Sequence, residues 1–248
     1  MLETPFKILL VLPAFNEEEA LPKTIASLQS LPAGFEILIV NDGSRDRTRA
    51  VADELARTSA TPCHVVHLPI NSGIGVAVQT GYRFAATSGC FRYVIQFDAD
   101  GQHPPVALSN LVERCERDQL DLCVGSRFVD PASGGFRSTA IRRVGIRFFC
   151  WWIRILSGVR VTDPTSGLRC AGPAAWKRFA EYYPEDYPEP ESLFWCARNK
   201  LRIAEEPVTM LDRQGGQSSI RFGRSIYYTI KVALAILFDR MRKAENLP

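Results

Sequence analysis

Asp98-Ala99-Asp100-Gly101-Gln102 follows directly on the apolar run Tyr93–Phe97. Two carboxylates and a side-chain amide thus fall within five residues at the end of a predicted strand. This is a hard, all-oxygen donor set, suited to Mg²⁺ or Mn²⁺ held together with a phosphorylated ligand. A cation that bridges two phosphates neutralises a departing diphosphate, so the cluster points to chemistry on a nucleotide-activated group. Taken alone, Asp-Gly is also a common surface turn.

Other polar clusters stand in the same relation to apolar runs. Pro13-Ala14-Phe15-Asn16-Glu17 follows Lys7–Leu12, Asn41-Asp42-Gly43-Ser44 follows Phe35–Val40, and Gly125-Ser126-Arg127-Phe128 follows Leu120–Val124. Those runs, with His64–Leu68 and Tyr93–Phe97, read as short strands of continuous Ile, Val and Leu content. Between them Glu17–Leu31, Asp46–Arg57, Ile74–Ala86 and Pro104–Glu116 read as helices. Buried strands that alternate with amphipathic helices predict an α/β fold whose mostly parallel sheet is covered on both faces. Ligands of such sheets bind outside the carboxyl ends of the strands. A single fold assignment therefore gathers these clusters at one edge.

Composition sets further bounds. The chain has 248 residues, 46% hydrophobic and 23% charged, enough for a substantial core. A net charge of only +3 argues against a nucleic-acid partner. The seven cysteines are scattered without a CxxC pair, as expected of reduced thiols in a cytoplasmic protein. His64 and His67, three apart on a strand, point to opposite faces and make a poor metal pair. The apolar run after Lys7 ends at Pro13, too short for a signal peptide, and no stretch is long enough to span a bilayer.

Two later segments differ in character. Residues 137–160 carry six arginines and no acid, interleaved with Phe148, Phe149, Trp151 and Trp152. Such a helix suits a membrane interface; it also fits packing on the sheet with arginines reaching out to water. The tail, Gly223 to Lys243, places Ile226, Ile230, Ala233, Leu237 and Met241 on one helical face. It suits the interface, a membrane-protein partner or dimerisation. The expected organisation is one domain over 1–222, with the basic segment inside it, and an amphipathic helix and tail over 223–248.

Taken together, the elements resemble the inverting glycosyltransferases of family 2 with the GT-A fold, in the branch of the dolichyl-phosphate mannose synthases and their bacterial undecaprenyl-phosphate relatives. The resemblance rests on Leu12–Glu17, Val40–Ser44, Asn71-Ser72-Gly73-Ile74-Gly75, Asp98–His103, Gly125–Phe128, Thr162-Asp163-Pro164-Thr165-Ser166-Gly167 and Arg213-Gln214-Gly215-Gly216-Gln217-Ser218-Ser219, in that order. It implies that Pro13, Ala14, Asn16 and Glu17 line the nucleobase and ribose pocket, that Asp42 hydrogen-bonds base or ribose, and that Asn71 belongs to the same donor site. Asp98 and Asp100 match the DxD positions, and Gln102 a third ligand to Mg²⁺ or Mn²⁺. Arg127 is assigned to the acceptor phosphate, Asp163 to the region of sugar or acceptor, and the loop with Arg213 and Ser218 to the donor diphosphate. Each has a plainer alternative. Asp42 also suits an Asx-turn, Arg127 a salt bridge with Asp130, Asp163 a turn cap, and the Gly215-Gly216 loop a simple connector.

Hydroxyl-acceptor members of the family use an acidic general base at the start of a late helix. Glu191, opening a helix over Ser192–Asn199, is the positional match here. The Glu-Asp pair and the Gln-x-x-Arg-Trp signature are both absent. A phosphate acceptor is already anionic and needs no strong base, which leaves Glu191 for donor-sugar hydroxyls or for helix N-terminal charge complementation. The implied function is sugar transfer from a nucleotide diphosphate to a polyprenyl phosphate, by a protein peripheral to the inner face of the cell membrane. The alternative is transfer to a hydroxyl of a lipid-linked saccharide, with Glu191 as base. A third reading, a nucleotide-sugar-binding subunit without chemistry of its own, sits poorly with an acidic cluster, arginines and glycine loop all in place.

Overall fold

The computed structural model describes residues 6–99, 103–129, 140–209 and 222–241. The elements run β1 (Lys7–Ala14), α1 (Ala20–Ser27), β2 (Phe35–Asp42), α2 (Thr48–Thr58), β3 (Cys63–Leu68), α3 (Ile74–Ser88), β4 (Phe91–Gln96) and α4 (Val106–Asp118). Then follow β5 (Leu122–Ser126), α5 (Ala140–Ser157), β6 (Arg169–Ala171), α6 (Pro173–Glu181), α7 (Pro188–Arg198), β7 (Ile203–Pro207) and α8 (Phe222–Met241). The strands form one seven-stranded sheet in the order β3-β2-β1-β4-β6-β5-β7. The pairs β2–β3, β1–β2, β1–β4 and β5–β7 are parallel, and β6 runs antiparallel to both β4 and β5.

Strand alternation explains the two-sided core. Ile8, Leu10 and Leu12 of β1 pack with Leu21, Ile25, Leu108 and Leu111 on one face. Leu9 and Val11 pack with Val78, Tyr82 and Phe149 on the other. Each such fully buried side chain stabilises the fold by about 1.5–3 kcal/mol relative to exposure.

Helix bounds depart from the sequence pattern where polar side chains compete for the backbone. The helix expected from Glu17 begins at Ala20. The Glu17 and Glu18 amides donate instead to Thr48 Oγ1 (2.8 Å) and Asp46 Oδ2 (3.3 Å), fastening this segment to the start of α2. The helix expected from Ser192 opens earlier, at Pro188, where a proline suits the first turn. His64 and His67 bond separate carboxylates, Glu36 and Asp53.

Helix α5 packs on the core through one face and leaves apolar side chains exposed on another. Ile146, Phe149 and Ile153 are buried, while Val144, Trp151 and Ile155 are exposed. It packs against α8 through Trp152, whose Nε1–H donates to the Ala233 carbonyl at 3.1 Å, and through a Phe149–Tyr228 ring contact. Helix α8 buries Val232 and Ile236 and exposes Tyr227, Ile230, Leu234, Phe238 and Met241. No described helix is long and apolar enough to cross a membrane.

Candidate active site

The parallel neighbours β2, β1 and β4 end side by side, and β5 ends at the same edge because β6 reverses direction twice between β4 and β5. Asn16, Asp42, Asp98 and Arg127 leave the sheet there, as the sequence predicts.

Asp42 is buried, 4% exposed. Its Oδ1 accepts the Ser72 N–H at 2.7 Å, and its Oδ2 accepts the Gly73 N–H at 2.9 Å and the Asn71 Nδ2–H at 3.1 Å. The local turn anticipated for Asp42 is made by Asn41, whose Oδ1 accepts the Ser44 N–H at 3.2 Å. Asp42 therefore reaches across to the loop before α3 and holds it with charge-assisted bonds. A carboxylate offers about four acceptor positions, so one remains on Oδ1.

Asn16 sits at φ 56°, in the left-handed region that asparagine tolerates better than most residues. Its N–H donates to Ser44 Oγ at 3.0 Å, and its Oδ1 accepts the Arg45 N–H at 2.9 Å. Pro13 and Ala14 close β1 directly beneath. The segment Pro13–Glu17 and the loop after β2 thus form one surface beside Asp42.

Asp98 is half-buried beyond β4, and the next residue, Ala99, is fixed by a 2.7 Å bond from Thr24 Oγ1 to its carbonyl. Gly167 faces the Asp98 carboxylate so closely that a Cβ there would lie 2.9 Å from Oδ2. Asp100, Gln102, Arg213 and Ser218 lie outside the described residues, as does Asp130.

Arg127 and Asp163 form a buried bidentate pair, their side chains 5% and 0% exposed. Nε to Oδ2 and Nη2 to Oδ1 are both 2.6 Å, and the Arg127 amide adds a 3.2 Å bond to Oδ2. Thr165 Oγ1 lies within 3.0 Å of Nη2, and the Phe128 ring lies under the guanidinium. Asp163 thus does more than cap its turn.

Sequence reading missed three residues that shape this edge. Arg169, 1% exposed within β6, donates to the carbonyls of Ser166 (2.7 Å), Pro164 (2.9 Å) and Glu189 (2.7 Å) and to Ser192 Oγ (3.0 Å). It pins the turn after Asp163 to the start of α7. A lone arginine inside the apolar run Leu168-Arg169-Cys170-Ala171 is the signal that marks it. The second is Glu189. Burial pushes its carboxyl up, Arg169 pulls it back, and Asp98 adds repulsion. Glu191, two positions on, is turned to the opposite side of α7. It lines a cavity of about 160 Å³ with Phe179, Trp195 and Phe238, and it neighbours Lys231, Asp239 and Asp186. The third is Glu205 on β7, whose carboxylate accepts from three donors, the Thr162 N–H (shared by both oxygens), the Thr162 hydroxyl and the Asp163 N–H.

Comparison with known proteins fits this geometry. Residues 9–181 match the model of Glycosyl transferase family 2. A polyprenol monophosphomannose synthase from Mycolicibacterium smegmatis is 31% identical over 245 residues, 97% of this chain and 91% of the relative. An undecaprenyl-phosphate mannosyltransferase from Micrococcus luteus is 30% identical over 242 residues, 95% of this chain and 98% of the relative. Among solved structures, glucosyl-3-phosphoglycerate synthase from Mycobacterium tuberculosis, crystallised with Mn²⁺, UDP-glucose and phosphoglyceric acid, superposes with a TM-score of 0.69 at 20% identity. That match covers 96% of this chain and 81% of the other, and it shows the shared fold. The chain belongs to glycosyl transferase family 2 and carries that family's GT-A fold.

Proposed function

We propose that this protein transfers a sugar, with inversion, from a nucleoside diphosphate to a polyprenyl phosphate at the cytoplasmic face of a membrane. The observation that carries the reading is the gathering of Asp42, Asp98 and Arg127 at one sheet edge, in a chain whose relatives of nearly equal length are named for polyprenyl-phosphate lipids.

On the donor side, Pro13, Ala14, Asn16 and Glu17 line the base and ribose, with Asp42 offering its remaining acceptor position and Asn71 framing the pocket. Asp98, with Asp100 and Gln102 beyond the described residues, would hold Mg²⁺ or Mn²⁺. Their oxygen chemistry supports a hard cation. A cation bound there would supply charge screening of the diphosphate, making it a better leaving group. Arg213 and Ser218, outside the described residues, are assigned to the diphosphate oxygens by the family resemblance alone.

On the acceptor side, Arg127 binds the lipid phosphate, and Asp163 keeps the guanidinium plane oriented. A phosphate oxygen attacks the anomeric carbon on the face opposite the diphosphate. The new carbon–oxygen bond forms as the bond to the diphosphate oxygen breaks, and the nucleoside diphosphate leaves with the electron pair. The attacking oxygen is already anionic near neutral pH, so no base has to remove a proton.

The polyprenyl chain requires a lipid surface. The exposed apolar stripes of α5 and α8, with Arg143, Arg147, Arg154 and Arg240 exposed on the same helices, suit an interface with anionic headgroups.

A hydroxyl acceptor would need a base. Glu191 lines the groove with Lys231 and Phe238, and Glu189, two positions earlier on α7, is the other acidic candidate for that second reading. The deciding experiment gives purified protein, with Mg²⁺ or Mn²⁺, a panel of nucleotide sugars against undecaprenyl or dolichyl phosphate, following released nucleotide and lipid product together. A cation-dependent sugar–lipid phosphate is expected. Transfer confined to hydroxyl acceptors would overturn the proposal in favour of the second reading, and donor binding without turnover would point to a binding subunit.

A further inference from the structure

Glu205 sits on β7, the edge strand beyond β5, in register with Val124 and two residues short of Ser126. A carboxylate on an edge strand ordinarily faces water. This one is half-buried, and its bonds go to two consecutive residues of the loop that carries Asp163. The Thr162 N–H lies 2.8 Å from Oε2, the Asp163 N–H 2.8 Å from Oε1, and Thr162 Oγ1 3.0 Å from Oε2. Two successive amides converging on one anion form a backbone nest. The bonds are short and charge-assisted, so they fix the peptide plane between Thr162 and Asp163.

That peptide decides where the Asp163 carboxylate points, and Asp163 in turn holds one edge of the Arg127 guanidinium through Nε and Nη2. The same loop has two further attachments. Thr162 Oγ1 lies 2.7 Å from Ser126 Oγ, next to Arg127, and the Thr162 carbonyl receives Cys150 Sγ–H of α5 at 3.5 Å. The loop therefore joins β7, the end of β5 and the helix with the exposed apolar stripe, and Glu205 is its charged anchor.

We propose that Glu205 is a positioning residue for acceptor binding: by clamping the Thr162–Asp163 backbone it sets the place at which Asp163 presents Arg127 to an anionic phosphate. The inference rests on the reading that Arg127 meets the acceptor phosphate. Glu205 itself touches neither substrate.

The test is steady-state kinetics with nucleotide sugar and polyprenyl phosphate on wild type, Glu205→Gln, Arg127→Lys and the double variant, with nucleotide affinity by calorimetry and thermal unfolding alongside. In Glu205→Gln one amide N–H₂ replaces an acceptor and opposes the loop's donors. Losing a charge-assisted bond corresponds to about tenfold. The acceptor KM is expected to rise by that factor, while donor KM and nucleotide affinity stay within about twofold, and the double variant is no worse than the poorer single one. A merely structural carboxylate would lower thermal stability without this split. Equal shifts in donor and acceptor KM, no shift, or multiplicative effects in the double variant would each overturn the proposal. If Arg127→Lys leaves the acceptor KM unchanged, the acceptor role of Arg127 fails instead. Should Glu205→Gln not fold, Glu205→Asp keeps the charge but draws the acceptor oxygens back from the Thr162 and Asp163 amides, and an unchanged acceptor KM in that variant overturns the proposal equally.

Discussion

The Arg127 guanidinium meets the Asp163 carboxylate edge to edge, with Nε and Nη2 each 2.6 Å from an oxygen and both side chains almost wholly out of water. Each charge is tolerable in its site because the other is present. Removing one partner of a buried pair typically costs about 3–5 kcal/mol, since the remaining ion stays desolvated. Arg127→Ala and Asp163→Ala should therefore each lower stability by that order, besides affecting transfer. The pair Arg127→Met with Asp163→Leu should recover much of the loss while remaining inactive. Urea unfolding of the three variants checks this. Single losses below about 1 kcal/mol would mean that the pair lies open to solvent.

Asp42 gives a second prediction. Three donors converge on its two oxygens, two of them backbone amides at the start of α3. Asp42→Asn turns an N–H₂ toward at least one of those donors and leaves a buried group unsatisfied, at a cost of about 1–3 kcal/mol. Asn71→Ala removes one neutral amide that donates to the Asp42 carbonyl and carboxylate, and should cost about 1–2 kcal/mol. If Asp42 also meets the donor nucleotide, Asp42→Asn should weaken nucleotide binding far more than Asn71→Ala does. Calorimetric titration with nucleoside diphosphate, set beside unfolding curves, separates the two effects.

How legible these features are in the sequence depends on their range. The strand ends at Asp42, Asp98 and Arg127 can be read because continuous apolar runs of the right length lead into them. The pairing of Arg127 with Asp163 cannot, since the two are 36 positions apart and meet only once β5 and the turn before β6 are in place. Strand β6 escapes periodicity because three residues are too few to show a pattern and the first is a buried arginine. Glu189 and Glu191 look equivalent in Pro188-Glu189-Pro190-Glu191. The earlier start of α7 decides which of them lines the groove beside α8. Glu205 and Glu206 are likewise distinguished only by strand alternation, which sends Glu205 to the Thr162 loop and Glu206 toward Arg114.

The groove between α7 and α8 supplies a pH dependence. Burial pushes the Glu191 carboxyl up to about 7, Lys231 pulls the other way, and Asp239, Asp186 and Glu189 add repulsion. The folded chain keeps this proton where the unfolded chain, with a carboxyl near its ordinary 4.5, has lost it. The native state then binds more protons, so this group's contribution to stability declines as pH rises between those two values, and the full penalty remains above them. Glu191→Gln should melt at a higher temperature than wild type at about pH 8, with the difference vanishing below about pH 4.5. Melting curves across that range decide it. A difference that grows toward acid would place the charged form, not the neutral one, as the favoured state of Glu191.

Gly167 makes the sharpest test of Asp98. A Cβ on this residue would stand 2.9 Å from Asp98 Oδ2 and 3.1 Å from Oδ1. Something must yield, and the glycine's own backbone is poorly placed to do so. Arg169 holds the preceding carbonyl, that of Ser166, at 2.7 Å and ties it to α7 through the Glu189 carbonyl. The displacement in Gly167→Ala therefore falls on the Asp98 carboxylate. If Asp98 is a cation ligand, its reorientation should weaken Mn²⁺ binding by about tenfold or more, the size of effect seen when a ligand's supporting contacts are altered. Nucleoside binding without a cation should hold, because the Asp42 pocket lies two strands along the sheet, with β1 between. Paramagnetic titration of free Mn²⁺ measures the first quantity and calorimetry the second. Unchanged Mn²⁺ affinity in a folded Gly167→Ala protein would remove Asp98 from the cation site, whereas loss confined to Mn²⁺ binding would tie the glycine's missing side chain to the metal rather than to the fold.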